Sequence, residues 1–175
     1  MFQGGVKLID FKEISKEKVI ENLQPPEKVV IPLSQHTGIP SNPVVKKGDT
    51  VLKGQLIGEN AGFISSAIHS SISGTVTGIE KCSLPGGKTS PAVVIENDGK
   101  DTSLEPTKRN WQELKTEELV SIIRESGIVG MGGAAFPSAV KLTIPQGKKA
   151  ECVLLNGCEC EPFLTADYRV MKEEA

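Results

Sequence analysis

The stretch Gly127-Ile128-Val129-Gly130-Met131-Gly132-Gly133-Ala134-Ala135-Phe136-Pro137-Ser138-Ala139-Val140-Lys141-Leu142 decides how the second half of the chain is read. Four glycines within seven positions let the backbone turn tightly and let a ligand approach without meeting a β-carbon. Pro137 and the residues after it suit the opening of a helix. A glycine loop that feeds a helix N-terminus is a ready anion site, because free N–H groups and the helix dipole point the same way. Lys141 falls about one turn into that helix, within reach of a phosphate. Downstream, Cys152-Val153-Leu154-Leu155 reads as a short buried strand, with Cys152 as inert core. It ends in the polar, acidic run Asn156-Gly157-Cys158-Glu159-Cys160-Glu161-Pro162. Ligands of open α/β sheets sit beyond the carboxyl ends of strands, so loop and strand end are expected to face one nucleotide or flavin. The alternative is a glycine cluster that serves only as a turn. No Gly-Lys-Ser/Thr follows, so this is not a P-loop, and its glycines precede the strand, unlike the dinucleotide fingerprint.

Working back from the loop, Thr116 reads as a helix N-cap, with Glu117 and Glu118 complementing the dipole. Leu119, Ile122 and Ile123 form an apolar stripe, and Gly127 suits the C′ position. Residues 101–115 read as a polar linker. Residues 28–100 read as all-β, with short runs at 29–33, 43–45, 50–52, 55–58, 74–79 and 92–95 split by turn residues. Residues 1–27 form an N-terminal arm that wraps over a following domain or stays partly disordered. After the loop, residues 165–175 read as a helix opening at Thr165 or Asp167 with no stop signal. Residues 116–175 supply about one βα unit, too little to bury both faces of a parallel sheet. The expectation is a piece of a longer protein, inactive by itself.

Bulk properties narrow the classes. Of 175 residues, 38% are hydrophobic and 24% charged, with a net charge of −2. No basic face and only 4% aromatics argue against nucleic acid. No apolar run approaches the roughly 18 residues needed to span a bilayer, and no signal-peptide layout is present. A soluble, cytoplasmic chain without direct membrane insertion is expected. Cys82, Cys152, Cys158 and Cys160 do not form a disulfide framework. Cys158 and Cys160 alone are too few for zinc or an iron–sulfur cluster, so no metal site and no catalytic residue are assigned.

Two stretches of the β region carry a first family likeness. Lys47-Gly48-Asp49-Thr50-Val51-Leu52-Lys53-Gly54-Gln55-Leu56-Ile57-Gly58 and Ile68-His69-Ser70-Ser71-Ile72-Ser73-Gly74-Thr75-Val76 resemble the two halves of biotinyl and lipoyl carriers, which fold as a barrel-sandwich hybrid. The intervening residues 59–67 contain no Lys, so the modifiable nucleophile is missing and the fold is expected to act as scaffold. The glycine loop and Asn156–Met171 resemble the RnfC family, a component of the Rnf electron-transport complex, which itself resembles the flavin-binding subunit of respiratory complex I. Phe2–Val6, Val29–Gly38 and Ile68–Val76 extend that resemblance along the chain.

The resemblance implies a barrel-sandwich hybrid followed by the start of an α/β FMN/NADH-binding domain. It implies FMN and NAD(H) as cofactors, with 4Fe-4S clusters carried by a C-terminal part outside these residues. It implies ferredoxin:NAD oxidoreduction coupled to ion translocation, with other Rnf subunits and NADH as partners, on the cytoplasmic face of the cell membrane. Carried over by position, Gly130, Gly132, Gly133, Lys141 and Asn156 would hold flavin and phosphate. Glu159 would sit beside the isoalloxazine, Phe136 would stack on the dinucleotide and Glu161 would contact its ribose or nicotinamide side. The chain departs from the family pattern at Lys7-Leu8-Ile9, where His-Pro-Pro is usual, at Met131 for Arg and at Cys158 for Asp. The rival reading is a non-catalytic module that docks other subunits, or a related redox adaptor.

Overall fold

The computed structural model describes residues 9–131 and 133–174. The segment Phe2–Val6 and Gly132 lie outside them. The described chain forms two compact units, one from residues 24–148 and one joining the residues before 24 to those after 148.

The larger unit is built on two antiparallel sheets. Strands β1 (Lys28–Pro32), β7 (Thr89–Asn97), β6 (Gly74–Ser83) and β3 (Thr50–Val51) lie side by side in that order. A second sheet has the order β2 (Asn42–Pro43), β4 (Leu56–Glu59), β5 (Ile68–His69). One buried cluster takes Ile31, Val51, Val76, Val93 and Ile95 from the first sheet and Ile57 and Ile68 from the second, with Leu33, Val45 and Ile72 from the connections. Residues two apart point to one face of a strand, which is why Val93 and Ile95 enter the same core. Burying each such side chain contributes about 1.5–3 kcal/mol. Gly74 lies where β6 meets both neighbours, opposite Val51 and Asn97. A β-carbon there would stand 1.9 Å from the Glu96 carbonyl oxygen, so only glycine lets the strands approach.

This is the predicted barrel-sandwich. All six runs overlap strands, 43–45 only at Pro43, and β5 is not among them; β6 and β7 run further than expected because their polar ends pair from Glu80↔Ala92 to Ser83↔Thr89. The carrier-type hairpin between β4 and β5 does not project. Ser65 and Ser66 are buried, Ser65 Oγ donates to the Ile39 carbonyl at 2.9 Å and Ser41 Oγ to the Ser66 carbonyl at 2.6 Å.

In the smaller unit, α3 (Ala166–Glu173) packs on the described part of the arm. Phe11 stacks on Phe163 with centroids 4.8 Å apart, and Lys12 Nζ donates to the Leu164 carbonyl at 2.6 Å. The buried Arg169 donates to the Lys16 carbonyl at 3.1 Å and pairs with Glu173. Thr165 stands at the N-cap, but its hydroxyl donates to Ser15 Oγ at 2.9 Å instead of capping.

Two expectations are corrected. Residues 152–155 form no strand, and Val153, Leu154 and Leu155 are 69%, 90% and 94% exposed. Cys152 is exposed too, not core. A strand needs a neighbour for its ladder hydrogen bonds, and no described residue pairs with this one. The N-cap position of the helix near Thr116 is one residue earlier, at Lys115, whose side chain makes no capping hydrogen bond.

Candidate functional site

The site in the larger unit begins with α1 (Thr116–Glu125). The Lys115 N–H donates to the Glu118 carboxylate at 2.8 Å, which satisfies an otherwise open donor at the helix start. Leu119, Ile122 and Ile123 are half-buried along one stripe. The helix ends at Ser126, and Gly127 takes the C′ position with φ +70°. A β-carbon there would stand 2.3 Å from the Ala67 carbonyl oxygen, so glycine is required on two counts. One turn earlier, Arg124 Nη1 donates to the Phe63 carbonyl at 3.1 Å, and its guanidinium lies 5.7 Å from the Phe63 ring centroid. The helix end is thus fixed to the connection between β4 and β5.

The chain then closes a loop. Val129 bridges Pro137, the Gly130 N–H donates to the Phe136 carbonyl at 3.0 Å and the Ser138 N–H to the Ile128 carbonyl at 2.9 Å. Pro137 serves as N-cap of the five-residue α2 (Ser138–Leu142). Lys141 reaches back over the loop: a β-carbon at position 130 would stand 3.1 Å from its Nζ. Glycine at 130 therefore leaves the room that the ammonium occupies. Nothing crowds position 133, and Phe136 is half-buried. Gly130, Gly133, Phe136 and Lys141 are brought into one closed loop and its helix. An ammonium lying over bare glycine backbone is a donor that fits a phosphate.

Asn156, Glu159 and Glu161 lie in the smaller unit. Asn156 Oδ1 accepts the Cys158 N–H at 2.9 Å. Glu159 Oε1 accepts the Tyr168 N–H at 3.0 Å, in the first turn of α3. Glu161 is exposed, and its hydrogen bond with the Cys160 thiol pushes that thiol's pKa up.

Sequence reasoning missed the residues under the loop. A cavity of about 350 Å³ lies between loop and barrel, lined by Gln35, His36, Ser66, His69, Gly127 and Val129 among others. His36 and His69, far apart in sequence, share it. His36 Nε2 accepts the Ser66 N–H at 3.1 Å, and burial lowers the pKa of His69. Thr37 hydrogen-bonds the loop at Ala134 and Ala135. The segment around Thr37 was legible only as part of a resemblance, because its partners lie almost a hundred positions away.

In the larger unit a barrel-sandwich is joined to a glycine loop with a basic residue over it, and residues 123–175 match the Nuo51 FMN-binding domain. Residues 1–100 match the RnfC barrel sandwich hybrid domain, and the chain belongs to the RnfC family. The C subunit of the proton-translocating ferredoxin:NAD(+) oxidoreductase complex of Clostridium ljungdahlii is 52% identical over 99% of this chain and 38% of its own length. The Na(+)-translocating counterpart of Acetobacterium woodii is 44% identical over 99% of this chain and 40% of its own. The C subunit of the ion-translocating oxidoreductase complex of Rhodobacter capsulatus is 39% identical, over 99% and 34%. The chain thus spans about two fifths or less of the length of these relatives. Among the described residues no helix is long and apolar enough to cross a membrane.

Proposed function

We propose that this chain forms the N-terminal part of the FMN- and NADH-binding subunit of a membrane-associated ferredoxin:NAD oxidoreductase that couples electron transfer to ion translocation. The observation that carries the reading is Lys141 Nζ lying over Gly130, inside the segment that matches an FMN-binding domain. Gly130, Gly132, Gly133, Lys141 and Asn156 hold the flavin and its phosphate. Glu159 flanks the ring system, while Phe136 and Glu161 meet the dinucleotide. Bound FMN supplies exchange between two-electron nicotinamide and one-electron iron–sulfur chemistry. The chain's own residues bind and orient: the Lys141 ammonium neutralises phosphate charge, and the bare glycine backbone permits close approach. The 4Fe-4S clusters belong to the length that relatives have beyond this match. The organisation is an arm at 1–27, a scaffold domain at 28–100, a linker at 101–115 and the opening of the flavin domain at 116–175. Other members of the complex hold the protein at the cytoplasmic face of the membrane.

The test uses a full-length protein, in which this chain carries the remaining length its relatives possess. A charge-assisted contact is worth about 1.5–3 kcal/mol, so Lys141→Ala should weaken FMN retention by about tenfold or more, read as flavin content after dialysis. Unchanged flavin content would remove Lys141 from the site. A full-length protein that never takes up flavin would favour a docking module instead.

A further inference from the structure

Hydrogen bonds of its own close the base of the glycine loop, but the stretch at Ala134 and Ala135 is held from outside. Ala135 has φ +49°, a left-handed conformation that a residue with a β-carbon keeps only where its surroundings enforce it. The enforcing contacts come from the barrel-sandwich. The Thr37 N–H donates to the Ala135 carbonyl at 3.1 Å, and Thr37 Oγ1 donates to the adjacent Ala134 carbonyl. One residue thus takes two consecutive loop carbonyls. This matters for an anion, because a carbonyl turned toward a phosphate repels it, and a carbonyl engaged by Thr37 is directed elsewhere.

Thr37 is itself held on both sides. His36, before it, accepts the Ser66 N–H at 3.1 Å. Gly38, after it, packs so closely that a β-carbon would stand 2.1 Å from the Ile64 carbonyl oxygen. Both anchors belong to the connection between β4 and β5, the place where a carrier would project its modified lysine.

We propose that Thr37 is a positioning residue: through it the barrel-sandwich holds the glycine loop in the shape that takes the flavin phosphate. The proposal rests on the flavin reading of the loop. It gives the carrier-like fold a task that needs no lysine.

The experiment compares Thr37→Val, Thr37→Ser and Lys141→Ala in the full-length protein. Apo protein is titrated with FMN by flavin fluorescence, and the melting temperature of each apo variant is recorded. Loss of one hydrogen bond predicts FMN binding about three- to tenfold weaker for Thr37→Val. Thr37→Ser, which keeps the hydroxyl, should restore affinity. Adding Ala135→Gly to Thr37→Val should recover part of the loss, since glycine adopts the left-handed conformation unaided. Full FMN affinity in Thr37→Val, with loss in Lys141→Ala, overturns the positioning role and leaves the flavin reading standing. Full affinity in both places the flavin phosphate outside this loop and overturns the proposal, while the protein's binding of FMN stands. Should Thr37→Val not fold, Thr37→Ala and Thr37→Ser are compared, and equal affinity for FMN overturns the proposal.

Discussion

Gly127 shows how one position joins the two halves of the larger unit. It ends α1 in the left-handed region and lies flat against the Ala67 carbonyl, where a β-carbon would come within 2.3 Å. Gly147 provides the matched control, with φ +76° and nothing near its missing β-carbon. Alanine at either site meets the left-handed conformation, worth about 1–2 kcal/mol. Only at 127 does it also meet a backbone oxygen that cannot move without shifting the barrel. Gly127→Ala should therefore destabilise the chain by about 1–3 kcal/mol more than Gly147→Ala, measured by urea unfolding. Equal losses would mean that the helix end is not pressed on the barrel. The same residue marks a limit of reading from sequence. Its C′ role follows from the stripe Leu119, Ile122, Ile123 before it, whereas its contact with Ala67 depends on chain about sixty residues earlier.

At the scale of elements, the barrel-sandwich is self-sufficient. Every residue of its buried cluster lies between Ile31 and Ile95, and both sheets close within residues 28–97. A polypeptide of residues 28–100 should unfold in one cooperative urea transition, and its intact mass should equal that of the unmodified sequence. A gain in mass on Lys46, Lys47 or Lys53 matching biotin or lipoate, or a broad non-cooperative transition, would contradict this. The strands were legible because alternation and turn residues are local signals. The glycine loop, its helix and the reach of Lys141 were legible for the same reason, since their spacing is short. The run 152–155 misled because its composition is that of a buried strand while no described residue pairs with it. Apolar composition reports suitability for burial, and only a neighbouring strand makes a sheet. Thr37 escaped because nothing local distinguishes a threonine that clamps a distant loop from one that caps a turn.

At the scale of the molecule, the two units differ in how much they bury. The larger has a continuous apolar core, whereas the buried residues of the smaller are Thr165 and Arg169, among those described. Local opening should follow that difference. Amides of α3 should exchange with deuterium at least about tenfold faster than those of β6 and β7, read by mass spectrometry on the native chain. Equal protection would show that both units open as one. The make-up of the smaller unit also bears on synthesis. Its arm and its helix meet across 153 positions, as between Lys16 and Arg169. A ribosome adding about 5–20 residues per second delivers the helix roughly 8–30 s after the arm. Throughout that interval the barrel can fold while the arm waits, with Phe11 still lacking the Phe163 ring it will stack on. A segment made well before its partner is thus among the last to find its place, and in the meantime it is open to capture by a chaperone.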